Sequence, residues 1–482
     1  MKATTVLIVS YHFHPASEIG ARRVTALARY LAERGVRVVV VSAFGRREVQ
    51  YGSEVIPGVI AIPVKPPAKT WLELLLSLKR RLSAKRSPNE DAGPVKHGDV
   101  IDVAVVARQH SDTTGDTPAA GATSLWARLR DIYCRLLWFV DDHKKWAWQA
   151  ARAAVRAGRE HDATLILASG PPHSGLLAGA WAARRLGVPY VADLRDPFSD
   201  FVATSQPQRR VELRLLRMLE GWVIRNAAAV TSTSATVASL LTARDHTLIE
   251  RIHVIRNGYD GSLAPPLTHT GGRLSILFAG SLYLRRTPYP LLAALEDLLD
   301  QPHVDPARVQ VTFMGARVAQ FSDCSPETWI QGKRCAAVVR FLPEQTAAAV
   351  AEEVAQATVL LNLAQQQHLH VPAKTYEHLA AGREVLLICE DDCETARLVG
   401  GIRGVIQADP SDPRILPEVL RDLYTRHVVD GTPAVPAKED VHRFSRALAN
   451  ERFHAVLTFA AARHGQLSQA NIADFSPPST AG

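Results

Sequence analysis

Cysteine is scarce in this 482-residue chain, and its spacing excludes a disulfide framework. The five cysteines form no Cys-x-x-Cys pair, and an odd number does not suit a complete set of bridges. They are Cys134, Cys324, Cys335, Cys389 and Cys393. Because unpaired cysteines are typical of a reducing compartment, we expect a cytoplasmic protein.

Long apolar runs are also missing. No uninterrupted apolar stretch approaches the roughly 18 residues that a membrane-spanning helix requires. The first residues, Met1 to Thr5, lack the charged and apolar regions of a signal peptide. We therefore expect a protein that is soluble or peripheral to a membrane.

The motifs of several enzyme classes are absent. The sequence contains no Walker loop, no His-Glu-x-x-His zinc motif, no Gly-x-Ser-x-Gly elbow and no Gly-x-Gly-x-x-Gly fingerprint. It also lacks a convincing Asp-x-Asp pair that would hold a metal against a diphosphate, and Cys389 and Cys393 have no nearby histidine. No metal site is therefore predicted.

The composition is that of a basic globular protein. Apolar residues make up 47% and charged residues 22%, and the net charge is +8. This balance favours acidic partners such as anionic lipids or phosphorylated small molecules, although an arginine-rich proteome would produce it too. The arginines are dispersed rather than clustered with aromatic residues, so we do not expect nucleic-acid binding.

Short apolar runs alternate with helical patterns in two successive series. Nearly all-apolar runs are typical of strands buried on both faces of a parallel sheet, and this alternation indicates an α/β protein. The predicted strands are 6–10, 36–41, 164–168, 189–193, 229–232 and 252–255, then 275–280, 309–315, 338–341, 359–362 and 385–388. The intervening segment 262–272 is rich in Pro, Gly and Thr, which indicates a linker.

The sequence thus predicts two doubly wound domains with additional segments. The predicted bounds are 1–265 and 266–440, with a flexible insertion at about 84–124, a helix at 441–464 and a disordered tail at 465–482. A basic, leucine-rich helix at 71–86 is compatible with a membrane interface, although amphipathic helices more commonly pack on a core.

Polar residues follow the strands of the first predicted domain, where open α/β sheets bind ligands. Gly20 opens a helix, whose N-terminus favours a polar or anionic ligand. His173 follows a Gly-Pro-Pro turn and could bond a ligand hydroxyl, although a lone histidine is more often structural. Asp193, Arg195 and Asp196 could hold hydroxyl groups, or could pair with each other and cap the next helix.

The second predicted domain places cations after its strands. Arginine is suited to bidentate phosphate binding. Lys374 lies near the start of a predicted short helix, with Glu377 three residues later on the same face. A cation for a diphosphate and a carboxylate for a ribose diol are what a nucleotide-sugar pocket needs, although each could be a surface charge. The residues that follow the first strand of this domain are Gly280, Ser281, Arg285 and Arg286.

Taken in order, these segments resemble the bacterial GT-B glycosyltransferases of family 4, especially the branch that acts on cell-surface polysaccharides. The matching segments are His14-Pro15, 20–23, 27–35, 169–174, 193–197, 255–260, 279–283, 371–382 and 394–397. The resemblance covers most of residues 1–460 outside the insertion. It implies two Rossmann-like domains facing a central cleft, with the final helix returning to the first domain.

The resemblance also implies an activity. It indicates sugar transfer from a nucleotide sugar, most commonly a UDP-sugar, to a saccharide or lipid-linked acceptor, with retention and without a metal or other cofactor. It gives catalytic roles to His173, Arg285, Arg286 and Lys374. It implies donor-binding roles for Gly20, Gly280, Ser281, Lys374, Glu377 and Glu394, and acceptor-binding roles for His14, Asp193, Arg195 and Asp196.

One position departs from the family pattern. The first glutamate of the Glu-x7-Glu element is replaced by Leu369, while Glu377 supplies the second. This change keeps two alternatives open, a non-catalytic scaffold and a GT-B nucleotide-sugar epimerase. The enzyme that we favour would be cytoplasmic, with peripheral contact to the inner membrane face through the helix at 71–86.

Overall fold

The computed structural model describes residues 4–16, 19–44, 49–66, 140–196, 198–200, 210–282, 286–316 and 324–473. The predicted insertion at 84–124 and the predicted helix at 71–86 lie outside these residues. The strands are β1 Thr5–Ser10, β2 Arg37–Ser42, β3 Glu54–Ile56, β4 Val59–Pro63, β5 Leu165–Gly170, β6 Tyr190–Leu194, β7 Ala229–Ser232, β8 Ile252–Val254, β9 Leu274–Ala279, β10 Val309–Met314, β11 Val339–Leu342, β12 Val359–Leu363, β13 Glu384–Ile388 and β14 Val405–Ala408.

The helices alternate with these strands. They are α1 Ile19–Glu33, α2 Lys144–Glu160, α3 His173–Leu186, α4 Arg210–Asn226, α5 Ala235–Arg244, α6 Tyr289–Leu299, α7 Pro326–Trp329, α8 Ala347–Gln356, α9 Ala373–Ala380, α10 Glu394–Val399, α11 Ile415–Tyr424, α12 Lys438–His442 and α13 Arg446–Ala473. None of the helices in the described ranges is both long and apolar enough to cross a membrane.

Two sheets organise the fold. The first has the order β3-β4-β2-β1-β5-β6-β7-β8, and the second has the order β11-β10-β9-β12-β13-β14. The pairs β1–β2, β1–β5, β9–β10 and β12–β13 are parallel, and the β3–β4 hairpin is antiparallel. Every residue of β1, β5, β6, β12 and β13 is buried, which explains their nearly continuous apolar sequences. The predicted α/β class is confirmed.

The chain divides into two compact units. The first comprises Met1–Val230 and Leu457–Gly482, and the second comprises Thr231–Val456. In the second unit, β9, β10 and β12 contribute to an apolar core with the inner face of α6 and with α11. Each unit therefore presents its own set of strand ends, where polar side chains can gather.

The C-terminal region differs from its predicted single helix. The structure breaks the helix between α12 and α13, and Phe444 lies in the break. The backbone of Tyr259 forms two hydrogen bonds with residues at this break. Its N–H donates to the carbonyl oxygen of Phe444 at 3.2 Å, and its carbonyl oxygen accepts from the N–H of Arg446 at 3.0 Å. Helix α13 then continues to Ala473, past the residue at which the tail was expected to begin.

Candidate functional site

Lys374 and Gly280 meet at the carboxyl end of β9. The ammonium group of Lys374 donates a hydrogen bond to the carbonyl oxygen of Ala279 and lies 6.0 Å from the centroid of the Phe278 ring. A Cβ atom on residue 280 would lie 2.5 Å from Nζ of Lys374, closer than van der Waals contact allows. Glycine at this position therefore leaves room for the lysine ammonium beside the end of the strand.

A second glycine, which the sequence reasoning did not single out, completes this strand edge. Gly315 follows β10 with a φ of 143°, a conformation that favours glycine. A Cβ atom there would overlap the carbonyl oxygen of Gly280, and the N–H of Gly280 donates to the carbonyl oxygen of Met314 at 2.8 Å. The ends of β9 and β10 therefore present backbone groups, without side chains, beside the lysine.

Helix α9, which carries Lys374, is fixed to the sheet. The side-chain amide of Asn362, at the end of β12, donates to Oγ1 of Thr375 at 2.8 Å. His378, one turn after Lys374, is buried, and burial together with the lysine charge lowers its pKa to about 3. His378 is therefore neutral near pH 7, while Glu377 lies on the exposed face of the same helix.

The loop after β12 contributes two buried glutamines that sequence reasoning missed. Nε2 of Gln365 donates to the carbonyl oxygen of Thr287 at 2.8 Å and so ties this loop to the residue after Arg286. The side chain of Gln367 is buried, and its amide atoms have no hydrogen-bond partner within the described ranges. These amides lie in the segment that carries Leu369, where the family pattern has a glutamate.

The other predicted residues of this region have different positions. Ser281 and Arg286 are half-buried, and Arg285 lies outside the described residues. Glu394 is buried and accepts hydrogen bonds from the backbone N–H groups of Ala235 at 2.9 Å and Thr236 at 3.2 Å, at the N-terminus of α5. It also pairs with Arg256 at 2.8 Å. Because both carboxylate oxygens are engaged, Glu394 supports the structure around α5, and its donor-binding role stays a prediction.

In the first unit, Asp193 forms a buried ion pair. Its carboxylate lies 3.1 Å from Nη2 of Arg23 and accepts a hydrogen bond from Oγ of Ser169 at 2.7 Å. Both charged side chains are 3% exposed or less. Arg23 and Ser169 are thus partners of Asp193, and an acceptor hydroxyl would have to displace these bonds to reach the carboxylate.

Arg195 occupies the space beside Gly20. A Cβ atom on residue 20 would overlap the Arg195 guanidinium, and the guanidinium donates to the carbonyl oxygens of Gly170, at 3.3 Å, and of Pro171. Gly20 therefore leaves space that the Arg195 guanidinium occupies at the start of α1. The two residues that were predicted to bind different substrates contact each other.

His173 lies at the start of α3 beside the chain that follows β6. Its ring stacks on Phe198 at 4.6 Å between centroids, and Nε2 lies 3.4 Å from the carbonyl oxygen of Asp196. Burial lowers the pKa of His173, although the charges of Asp141 and Asp196 oppose this shift. The imidazole is therefore neutral at pH 7 and is suited to hydrogen bonding with a hydroxyl group.

Further polar groups join this end of the first sheet. Burial, with the charges of Arg195 and His143, lowers the pKa of His12 to about 4. For His143, the carboxylates of Asp142 and Asp141 outweigh the effect of burial and raise its pKa. The backbone N–H of His14 donates to Oγ1 of Thr25 at 3.0 Å. The only sequence signal for His12 was its position two residues before His14.

The described residues contain no group of three or more His, Cys, Asp or Glu side chains that could hold a metal ion. The strand ends of the second unit instead combine a cation with bare backbone, and those of the first unit combine the neutral imidazoles of His12 and His173 with Arg195. The first arrangement suits an anion, and the second suits a hydroxylated ligand.

Solved structures share this fold. Sucrose-phosphate synthase from Thermosynechococcus elongatus aligns with a TM-score of 0.54 and 14% identity, covering 98% of this chain and 100% of that chain. Anabaena HepE in complex with UDP aligns with a TM-score of 0.53 and 13% identity, covering 94% and 99%. The lipopolysaccharide outer core galactosyltransferase WaaB aligns with a TM-score of 0.53 and 11% identity, covering 94% and 99%. At these identities the similarity shows the fold, which is GT-B.

A family model adds evidence from the sequence. Residues 97–258 match the family described as glycosyl transferase 4-like domain. The match over these residues and the GT-B fold together indicate a glycosyltransferase. No curated protein sequence shows significant similarity to this glycosyltransferase.

Glu394 gives the glycosyltransferase a pH-dependent contribution to stability. Burial would raise its pKa, but hydrogen bonds from Thr236 and Arg256 outweigh burial and lower it. A carboxylate with a lowered pKa in the folded state stabilises the fold above its unfolded pKa, and this contribution is lost as pH falls through the folded pKa. We expect Glu394→Gln to lower the free energy of unfolding by about 2–3 kcal/mol at pH 7.

Urea denaturation of the wild type and the variant at pH 7 and at pH 4 measures this effect. The difference in the free energy of unfolding between the wild type and Glu394→Gln is expected to be smaller at pH 4 than at pH 7. The exposed Glu439→Gln provides a matched control that should change stability little at either pH. If Glu394→Gln lowered the free energy of unfolding equally at both pH values, the charge of Glu394 would not account for its stabilising contacts with Arg256 and Thr236.

Proposed function

We propose that this glycosyltransferase takes its sugar from a nucleoside diphosphate sugar, with UDP as the nucleotide, and that the second unit binds this donor. The observation that carries the proposal is the Lys374 ammonium at the glycine-lined ends of β9 and β10. Two similar structures support the choice of nucleotide, since HepE is in complex with UDP in one and, at a TM-score of 0.51, with UDP and glucose in the other.

The leaving diphosphate is the group that needs charge stabilisation during transfer. Lys374 and Arg286 supply cations that stabilise it as negative charge develops, so the reaction needs no metal ion, and the same role is proposed for Arg285. Glu377, exposed three residues after Lys374 on α9, binds the ribose hydroxyls. We propose retention of the anomeric configuration from the family resemblance.

The acceptor binds at the strand ends of the first unit. His173 is neutral at pH 7 and can exchange hydrogen bonds with a sugar hydroxyl, while Arg195 and Asp196 lie on the adjoining chain segment. The engaged carboxylate of Asp193 holds Arg23 and the end of β5 in place. A saccharide or a lipid-linked saccharide, on a pathway of cell-surface polysaccharide synthesis, fits this arrangement.

Release of nucleotide from a panel of nucleotide sugars tests the donor and the metal requirement together. We expect UDP release from one UDP-sugar at the same rate with excess chelator and with added Mg²⁺. A rate that falls to background in chelator and returns with Mg²⁺ would overturn the metal-independent reaction. Release from an ADP- or GDP-sugar alone would overturn the choice of UDP.

A surface of the first unit supports contact with an anionic membrane. Trp148 on α2 is 61% exposed, and its ring lies 6.0 Å from that of Trp181 on α3. An open pocket of about 620 Å³ beside them is lined by Trp181, Arg152, Val155, Arg156, Arg159, Glu160 and Arg185. Tryptophan and arginine together favour the interface of an anionic bilayer, which is where a lipid-linked acceptor would lie.

Replacing two cations of this surface is expected to weaken membrane binding. Each basic side chain near an anionic bilayer contributes about 1 kcal/mol, so Arg152→Gln/Arg159→Gln should lower the vesicle partition coefficient roughly 10- to 30-fold at low salt. Sedimentation with phosphatidylglycerol-containing vesicles measures this. The double variant Arg29→Gln/Arg34→Gln removes the same charge from exposed positions on and just after α1 and should bind like the wild type. Equal losses in both double variants would show that net charge, and not this surface, determines binding.

A further inference from the structure

A second cationic pocket lies in the second unit. It has a volume of about 320 Å³, and four arginines contribute to its lining: Arg256, Arg397, Arg443 and Arg452. Within the described ranges no carboxylate lines it. None of the residues assigned to the donor contributes to its lining, so the pocket is not explained by the proposed transfer reaction.

The four arginines come from separate segments that the fold brings together. Arg256 lies in the loop after β8, Arg397 on α10, Arg443 directly after α12, and Arg452 in the second turn of α13. Gly258 allows the loop after β8 to approach α13, because a Cβ atom there would overlap the carbonyl oxygen of Phe444.

Other contacts keep the segments in place. Nη2 of Arg446 donates to the carbonyl oxygen of Gly258 at 2.6 Å. Ser445 caps the start of α13, since its Oγ accepts from the backbone N–H of Leu448 at 3.3 Å. These hydrogen bonds hold the loop after β8 against the start of α13, where both segments line the pocket.

The charge in the pocket is only partly balanced. Arg256 is paired with Glu394 at 2.8 Å. Arg397 instead donates to the hydroxyl oxygen of Thr236 at 2.9 Å, and the Arg443 guanidinium lies 4.8 Å from the Phe444 ring centroid, so both of these partners are uncharged. The N-terminus of the 28-residue helix α13 adds positive potential at Ser445. A bound anion would relieve repulsion among these cations.

We propose that this pocket binds a phosphate group of a ligand other than the sugar donor. The guanidinium groups offer several donors to one phosphate, and about 320 Å³ accommodates a small phosphorylated molecule. The same phosphate chemistry is available from a soluble phosphate ester or from a lipid headgroup. This assignment depends on the arginine pocket and not on the proposed transfer reaction.

The pocket also contacts the helix of the candidate donor site. Phe444, which lines the pocket, packs edge-to-face on Tyr376 with ring centroids 5.8 Å apart. Tyr376 lies on α9 between Lys374 and Glu377. If the proposed donor site is correct, phosphate binding in the pocket would stabilise the position of α9, and this consequence alone rests on that proposal.

Calorimetric titration with inorganic pyrophosphate tests the soluble source in the full chain. We expect a binding site, separate from the candidate donor site, that Arg397→Gln/Arg452→Gln weakens at least tenfold and that Lys374→Ala leaves intact. Arg403→Gln/Arg421→Gln removes the same charge at exposed positions of the second unit and should bind like the wild type. Circular dichroism confirms folding, and the milder Arg397→Lys/Arg452→Lys variant, which keeps the charge, should bind with intermediate affinity.

Vesicles of phosphatidylcholine with phosphatidic acid test the lipid source. Measured in the Arg152→Gln/Arg159→Gln background, which weakens the membrane surface of the first unit, vesicle binding that is lost in Arg397→Gln/Arg452→Gln but kept in Arg403→Gln/Arg421→Gln would assign the pocket to a lipid phosphate. The proposal would be overturned if the protein bound neither pyrophosphate nor the vesicles. It would also be overturned if Arg397→Gln/Arg452→Gln and Arg403→Gln/Arg421→Gln weakened binding equally. Pyrophosphate binding that only Lys374→Ala abolishes would also overturn it, since the phosphate would then bind at the donor site.

Discussion

Lys374→Ala is expected to lower the kcat of sugar transfer by about 100- to 1000-fold, because a fixed cation at a leaving group stabilises charge that develops in the transition state. The ammonium lies beside the bare backbone of Gly280 and Gly315, where a diphosphate can approach it closely. Steady-state release of nucleotide at saturating donor measures the loss. Donor binding itself should weaken less than kcat falls.

Lys333→Ala is the matched control for this prediction. Lys333 is exposed, lies in the same unit, and holds its ammonium 4.1 Å from the ring centroid of Trp329. Its removal tests the general effect of losing one lysine and should change kcat less than twofold. If Lys374→Ala also retained kcat within about threefold, the cation would have no part in the reaction, and the assignment of the donor site would be wrong.

Asp193→Ala is expected to destabilise the first unit by about 3–5 kcal/mol, because it leaves the buried guanidinium of Arg23 without its carboxylate. The variant also removes the acceptor of the Ser169 hydroxyl bond. Urea denaturation, followed by fluorescence and by circular dichroism, measures the loss in the transition of this unit.

The double variant Asp193→Ala/Arg23→Met separates a buried charge from a general packing defect. Removing both charges should restore part of the lost stability, since an apolar side chain has no desolvation penalty. Equal destabilisation in the single and double variants would indicate that only packing was lost. A single variant within 1 kcal/mol of the wild type would contradict the buried ion pair.

The sequence predicts the part of the site that depends on strand order. Apolar runs place β9 and β12 in one parallel sheet, and the residues directly after parallel strands lie at the same edge. Gly280 directly follows β9, and Lys374 lies on α9, the helix that follows β12, so strand order brings these two segments to the same edge of the sheet. The β3–β4 hairpin and β14 were missed, because they are short and only partly buried.

Side-chain partners could not be predicted in the same way. The Asp-Leu-Arg-Asp segment suggests local pairing of Asp193 with Arg195, but nothing in the local sequence indicates the buried ion pair that Asp193 forms with Arg23 of α1. We expected the helix N-terminus at Gly20 to bind a ligand, but the guanidinium of Arg195 occupies the space beside it. Such pairings are set by packing between distant segments, and no local pattern records them.

The partners of Glu394 likewise could not be predicted from the local sequence, because they are distant in the chain. Its segment matches the family pattern, from which a donor-binding role was expected. The structure shows that its oxygens cap α5 and pair with Arg256, partners that lie more than a hundred residues earlier in the chain. A motif identifies which residues matter, while their partners follow only from the fold.

Covalent transfer of a radiolabelled sugar tests the central claim most directly. The wild type would be incubated with labelled UDP-sugars, excess chelator and acceptors from a membrane extract, beside Lys374→Ala and Lys333→Ala. The account predicts that label enters a saccharide or lipid-linked product with the wild type and Lys333→Ala, and falls to background with Lys374→Ala. Binding of UDP-sugars without transfer of label to any acceptor fraction, with or without chelator, would contradict it and favour a non-catalytic scaffold.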